Sequence, residues 1–264
     1  MVLVDTHCHV SPYWYEPVEA LLFHMDQNGV HHAALIQYRG QFNNSYQAEC
    51  VRRFPGRFVS VVIVDTGSPQ ALEELERLAG QGAQGVRLQP DTRSPGNDPL
   101  AIWRKAEELG LVASCGGRNA DFITDEFAGL VQAVPNLPII IEHLGADNHP
   151  DAGETPPYPR RQKIFDLARF PNLYLKIHGL GEICERTTPV VEPFPFKKDH
   201  LPILEMAYRA FGPNRMMWGS DYPPVSGREG YRNALRWMMD QFDDEEERRL
   251  IFGGTALRLF KFGD

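Results

Sequence analysis

The sequence predicts an α/β protein in which eight parallel strands close into a (β/α)8 barrel. Apolar, β-branched runs recur along the chain, and most lack the alternation of a half-exposed strand, as strands buried on both faces do. Amphipathic stretches of helical length separate them, and such alternation builds parallel sheets. The length, 264 residues, suits one barrel of eight units.

The first run, 2–9, ends in Asp5-Thr6-His7-Cys8-His9. A helix is expected over 16–28, closed by Gly29, which accepts the left-handed cap position without a steric penalty. The second and third runs are 33–37 and 58–64. Ser68 then precedes a helical stretch at 69–81, with Pro69 at its first position. The fourth run, 85–89, leads to a helix at 99–109 between Asp98 and Gly110. The remaining runs are 111–115, 138–143, 173–178 and 216–221. The acidic stretch 243–247 reads as a helix start, where carboxylates meet the positive end of the dipole.

An open doubly wound sheet is the alternative, but no glycine-rich phosphate loop follows any strand. The nearest candidate, Cys115-Gly116-Gly117, lacks the spacing. Two Pro-rich connections, 151–159 and 187–199, follow the sixth and seventh runs; the second carries Phe194 and Phe196. Both are expected to wall a pocket on the rim. No internal repeat interrupts the pattern, so residues 1–264 read as one domain.

Charge and composition exclude several classes. The net charge of -8, from 27 basic and 35 acidic residues, is not that of a nucleic-acid binder. No polybasic block or spanning-length apolar run points to a membrane. The first residues lack the basic and apolar regions of a secretory signal, so a cytoplasmic protein is expected. Cys8, Cys50, Cys115 and Cys184 form no Cys-x-x-Cys pair and read as free thiols. Whether copies associate into a homo-oligomer stays open.

The candidate chemistry lies at strand ends. Alternation puts His7 and His9 on one face of the first strand and Cys8 on the other. Two imidazoles so placed can share a cation. His143 ends the sixth strand in Glu142-His143-Leu144-Gly145, and Asp221 ends the eighth in Trp218-Gly219-Ser220-Asp221-Tyr222-Pro223. A barrel gathers these carboxyl ends onto one ring, so His7, His9, His143 and Asp221 are expected to share a site. Pro223 and Pro224 disfavour a helix start after Asp221, so a ligand or proton acceptor suits it better than an N-cap.

A basic set shares that ring. Arg39 follows the second strand, Arg87 and Gln89 end the fourth, and Lys176 and His178 end the seventh. In an acidic chain, Arg39, Arg87 and Lys176 at one mouth point to a small anionic organic substrate, Arg being suited to carboxylates. Pairing with a neighbouring Asp or Glu is the other reading. Tyr13, Trp14 and Tyr15 stand either as a wall for a ring-shaped ligand or as rim packing. His24, His31, His32, His149 and His200 have no partner at ligand spacing. No Gly-x-Ser-x-Gly elbow supports a serine hydrolase.

The motifs DTHCHV at 5–10, NNSY at 43–46, RRFPGRFVSVVIVD at 52–65, EHLG at 142–145 and WGSDYP at 218–223 resemble the amidohydrolase superfamily. Within it the chain is similar to the amidohydrolase-2 group, which contains lactonases and metal-dependent decarboxylases. The resemblance implies a distorted (β/α)8 TIM barrel with His7, His9, His143 and Asp221 at its site positions. The bridging carboxylated lysine of many members has no counterpart, since Arg87 or Cys115 stands there, and Cys115 also stands where many have a histidine. One divalent metal ion is therefore expected, with zinc suiting the ligand set. The expected activity is water attack on a lactone ester, with Asp221 as base and His143 and His178 beside it. A decarboxylase acting on a hydroxybenzoate-like acid is the rival, and a non-catalytic ligand-binding barrel a more distant one.

Overall fold

The structure is a computed structural model that describes residues 1–145, 155–190, 195–197 and 201–263. Its strands are β1 (Val4–Cys8), β2 (His32–Ile36), β3 (Phe58–Val62), β4 (Gly85–Leu88), β5 (Val112–Cys115), β6 (Ile139–Ile141), β7 (Leu173–Ile177) and β8 (Met216–Trp218). They pair in parallel in sequence order, β1 to β8. Each lies within one residue of a predicted run; β2 is displaced by one residue at equal length, and the others are shorter at one or both ends, where the chain turns into loops. The helices are α1 (Val18–Asn28), α2 (Ser45–Arg53), α3 (Ala71–Gly80), α4 (Ala101–Glu108), α5 (Asn119–Phe122), α6 (Asp125–Ala133), α7 (Pro159–Phe165), α8 (Leu201–Phe211), α9 (Tyr231–Met239), α10 (Glu245–Arg249) and α11 (Thr255–Leu259). Gly29 takes the expected left-handed cap after α1, and Asp244 caps α10 by accepting from the Glu247 amide.

Two apolar layers result. Val4, Ala34, Ile36, Val59, Val61, Val112, Ile140 and Met217 fill the barrel interior, with Phe260 packed against them from the C-terminal segment. Their strand neighbours, among them Leu35, Phe58, Ala113, Ile139 and Trp218, face the helices in a larger cluster. Strands buried on both sides explain why the runs lack alternation.

The barrel closes beside its carboxyl ends. The Asp221 amide donates to the His7 carbonyl and the His9 amide to the Tyr222 carbonyl, both at 2.8 Å. Beneath them, buried Asp5 accepts from the Ser220 amide (2.8 Å), the His7 amide (3.1 Å) and the Tyr231 hydroxyl (2.9 Å). β1 departs from simple alternation: Asp5 pairs with Ala33 and Cys8 with Leu35, so three steps along β1 match two along β2. This bulge re-aims the strand. Before it Val4 faces the interior; after it Cys8 faces the helices, and His7 and His9 turn to the axis. Unbroken alternation from Val4 would have sent both histidines outward.

Among the described residues, no helix is long and apolar enough to cross a membrane. Residues 146–154, 191–194 and 198–200 lie outside the described residues, and with them part of each of the two connections expected to wall a pocket, together with His149, Phe194 and His200. Phe196 is buried.

Candidate active site

β1, β6, β7 and β8 bring His7, His9, His143, His178 and Asp221 together, all buried. His7 stands at the centre, its ring centroid 4.9 Å from that of His9 and 5.0 Å from those of His143 and His178. His7 Nε2 and His9 Nε2 lie 3.8 Å and 3.7 Å from Asp221 Oδ1. His143 and Asp221 both take the left-handed backbone conformation, at φ 53° and 58°. Non-glycine residues keep it only when their surroundings force it, commonly at functional sites.

Neighbours set the tautomers. His9 Nδ1 lies 2.7 Å from the Ile36 carbonyl and His178 Nδ1 2.8 Å from that of Gly219. A carbonyl only accepts, so each ring carries its proton on Nδ1 and offers an Nε2 lone pair. His178 Nε2 is buried with no partner among the described residues, and so is His7 Nε2. Lys176 Nζ lies 3.1 Å from His7 Nδ1. A charged Lys176 donates to that nitrogen; the neutral amine accepts from it and frees His7 Nε2. Burial lowers Lys176 to about 8 despite the opposing charge of Glu142, so both forms are within reach.

The two stacked imidazoles of His143 and His178 shift in opposite directions. Burial, with the neighbouring cations adding to it, takes His178 down to about 3, so it is neutral. Burial acts the same way on His143, but the hydrogen-bonded Glu182 carboxylate reverses it and raises His143 above the usual imidazole value. Burial works against the Asp221 carboxylate too. The His9 contact and the charges of His143 and Arg228 overcome that and hold Asp221 well below the usual carboxylate range. Such divergence assigns acid and base.

The donor set fits a divalent cation. Ligand atoms of His7, His9 and Asp221 lie within 4.8 Å of one another, as do those of His7, His143 and His178. Unpartnered Nε2 atoms on rings fixed through Nδ1 are what imidazole ligation requires. Cys115 faces the helices, away from this set.

A cavity of about 160 Å³ opens above the cluster, lined by His9, His143 and Asp221, by Arg39 and Arg87, and by Trp14, Tyr15 and Tyr38. Tyr15 stacks on His9 at 5.4 Å and Trp14 on Tyr15 at 4.8 Å. Tyr13 is 96 % exposed and lines a neighbouring cavity with Ser11 and Gln37 instead. Arg87 is held from below: Nη2 donates to Glu142 Oε2 at 2.8 Å and Nη1 to the Gln37 carbonyl at 3.1 Å. Lys176, 1 % exposed, donates to Ser114 Oγ at 3.2 Å and does not line the cavity. Ser114 in turn donates to Glu142 Oε1 at 2.6 Å. Glu142 thus balances two cations, and although burial opposes it, they hold it well below its ordinary range.

Sequence reasoning assigned no role to Glu142, Glu182 or Arg228. Arg228 Nη1 donates to Asp221 Oδ2 at 2.9 Å. For Glu142 a signal existed: the alternation that turns Lys176 inward also turns residue 142 inward. Glu182 and Arg228 sit in loops, where no periodicity points to a partner.

The family model described as Amidohydrolase matches residues 4–262. The chain belongs to the amidohydrolase family. A curated relative, 4-sulfomuconolactone hydrolase of Rhizobium radiobacter, is 25% identical over 238 residues, 83% of this chain and 75% of that protein. The barrel superposes on a probable 2-pyrone-4,6-dicarboxylic acid hydrolase of Acinetobacter baumannii, with a TM-score of 0.77, 21% identity and coverage of 98% of this chain and 99% of the other. A Burkholderia multivorans amidohydrolase crystallised with bound zinc gives 0.75 at 19% identity, again covering 98% and 99%. At these identities the likeness establishes the barrel for this amidohydrolase, whose chemistry has to be argued from its own residues.

Proposed function

We propose that this amidohydrolase opens a small lactone bearing a carboxylate, by attack of a water activated at Asp221. One observation carries the reading. Asp221, His143 and the two arginines Arg39 and Arg87 line a single small cavity. That set matches what the reaction needs: a base, an acid and an anchor for an anion. The lactone hydrolase among its relatives supports the class.

Asp221 Oδ1 holds the water and takes its proton as oxygen adds to the ester carbon. Arg228 keeps Asp221 ionised and leaves Oδ1 as the oxygen nearest the histidines. The ring C–O bond then breaks, and His143, whose hold on a proton Glu182 strengthens, gives its proton to the departing oxygen. The product is an open-chain hydroxy acid. Arg87, with Glu142 fixing its guanidinium, binds the carboxylate together with Arg39. Trp14, Tyr15 and Tyr38 supply an aromatic wall that sheds water from the ring. His7, His9 and Asp221, completed by the neutral His178, would hold one zinc ion. Bound there, zinc supplies Lewis acidity to the carbonyl and lowers the pKa of water.

A screen of lactones, read by NMR for ring opening and by carbon dioxide release, tests the reaction. Ring opening is expected. Release of carbon dioxide from a hydroxybenzoate in its place would favour decarboxylation. Elemental analysis of protein purified without chelator should find one equivalent of zinc per chain; two, or none after zinc is supplied, would count against the site. Arg87→Lys keeps a cation beside Glu142 but loses the planar fork. Charge-assisted contacts contribute about 1.5–3 kcal/mol, so kcat/KM for a carboxylate-bearing lactone should fall at least tenfold, with a neutral lactone little changed. Equal losses on both would remove the anion-binding role.

A further inference from the structure

We propose that Arg228 and Glu229 form a two-residue clamp that ties the loop after β7 to the loop after β8, fixing His178 and Glu182 against Asp221. The inference deepens the metal-holding reading, on which its zinc arm rests.

The adjacent side chains pair with each other, Arg228 Nε lying 3.9 Å from Glu229 Oε2, and each holds a different loop. Arg228 Nη1 grips Asp221 Oδ2 at 2.9 Å, in the loop after β8. Glu229 turns to the loop after β7, where its Oε1 accepts from the Gly181 amide at 3.2 Å. That loop begins at His178, and its Glu182 is the carboxylate bonded to His143. One short segment therefore contacts the supports of three site residues.

The loop is shaped around the Glu229 carboxylate. A Cβ at Gly179 would lie 1.6 Å from Glu229 Oε1, and one at Gly181 only 2.1 Å from Oε2. Neither glycine is needed for the backbone: Gly179 has φ -76°, and Gly181 is not among the glycines with positive φ. What both positions require is the absence of a side chain where the carboxylate sits. An apolar side chain would fill that space without the cost of burying a carboxyl. Burial is heavy enough to push Glu229 to about 7, against the pull of Arg228 and the Gly181 amide. A carboxyl kept under those conditions does something a filler cannot, which is to hold the Gly181 amide in place. Glutamine keeps that acceptor and methionine does not.

Hydrogen exchange reads the coupling directly, because the amides of Gly181, Glu182, Asp221 and Tyr222 are all hydrogen-bonded. Glu229→Met should speed exchange in 179–182 and also, through the clamp, in 219–222. Glu229→Gln should stay near wild type in both. Arg228→Met should in return loosen 179–182. Zinc affinity, measured by chelator competition on the metal-free protein, should fall 10- to 100-fold in Glu229→Met, the usual effect of losing a residue that supports ligands, and stay within about threefold in Glu229→Gln. Should Glu229→Met fail to fold, Gly181→Ala, which displaces the carboxylate from the other side, is expected to loosen 219–222 in its place. Fast exchange confined to 179–182, or an unchanged zinc affinity in Glu229→Met, overturns the clamp. A wild-type protein that takes up no zinc sinks the metal reading instead, and the exchange result then decides the clamp alone.

Discussion

Asp221→Asn lowers kcat by about 10²–10⁴-fold, the usual worth of general-base assistance, while KM changes little. Asparagine matches the size and keeps the Arg228 contact through its amide oxygen, but it cannot take the proton of the attacking water. Its removal costs an interaction made only on the way to the transition state, which is why the loss falls on kcat. Metal content must be measured on the same sample, because Asp221 also belongs to the donor set around His7 and His9. A variant with its metal and near-normal kcat would refute the base assignment.

Glu142→Gln destabilises the fold by about 3–5 kcal/mol, the range for removing one partner of a buried ion pair. Arg87 and Lys176 are left without their counter-charge in the barrel floor. At roughly 2–4 °C per kcal/mol for a chain near this size, the melting temperature should drop by at least 6 °C. Joint replacement of Glu142 and Arg87 by apolar residues should cost less than the two single changes added, since contacting charges couple. Full additivity would show that the pair does not interact. The pH dependence has a definite sign. Glu142 is held below its ordinary 4.5 in the folded state. Its contribution is therefore complete above that value and is lost as the pH falls toward the folded-state pKa. Wild type and Glu142→Gln should thus converge in stability as the solution is acidified below pH 4.

The strands were readable because burial on both faces leaves continuous apolar runs, and the site because its histidines and Asp221 end those runs. Pairing partners were not readable in the same way. Arg87 and Lys176 announce uncompensated charge, yet nothing local says that Glu142 answers both. Glu182 and Arg228 lie in loops whose conformation depends on contacts made across the barrel. The aromatic wall was legible as a cluster but not as an orientation: of the three consecutive rings, Trp14 and Tyr15 face the cavity and Tyr13 does not. The extra residue in β1 leaves no compositional mark, because a bulge changes the count of steps and not the kind of residue.

That extra residue makes the catalytic motif a matter of chain length as well as side-chain identity. In β1 the one-residue insertion between Asp5 and Cys8 lets the same strand bury Val4 within the barrel and still present His7 and His9 to its axis. Grafting His-x-His onto the strand of another barrel would therefore not transplant the site. On a regular strand whose core register matches that of Val4, the imidazoles would point into the helix layer and Cys8 into the mouth. What has to be transferred is the phase shift, so a deletion or insertion here exchanges a reactive surface for an apolar one without altering a single functional group.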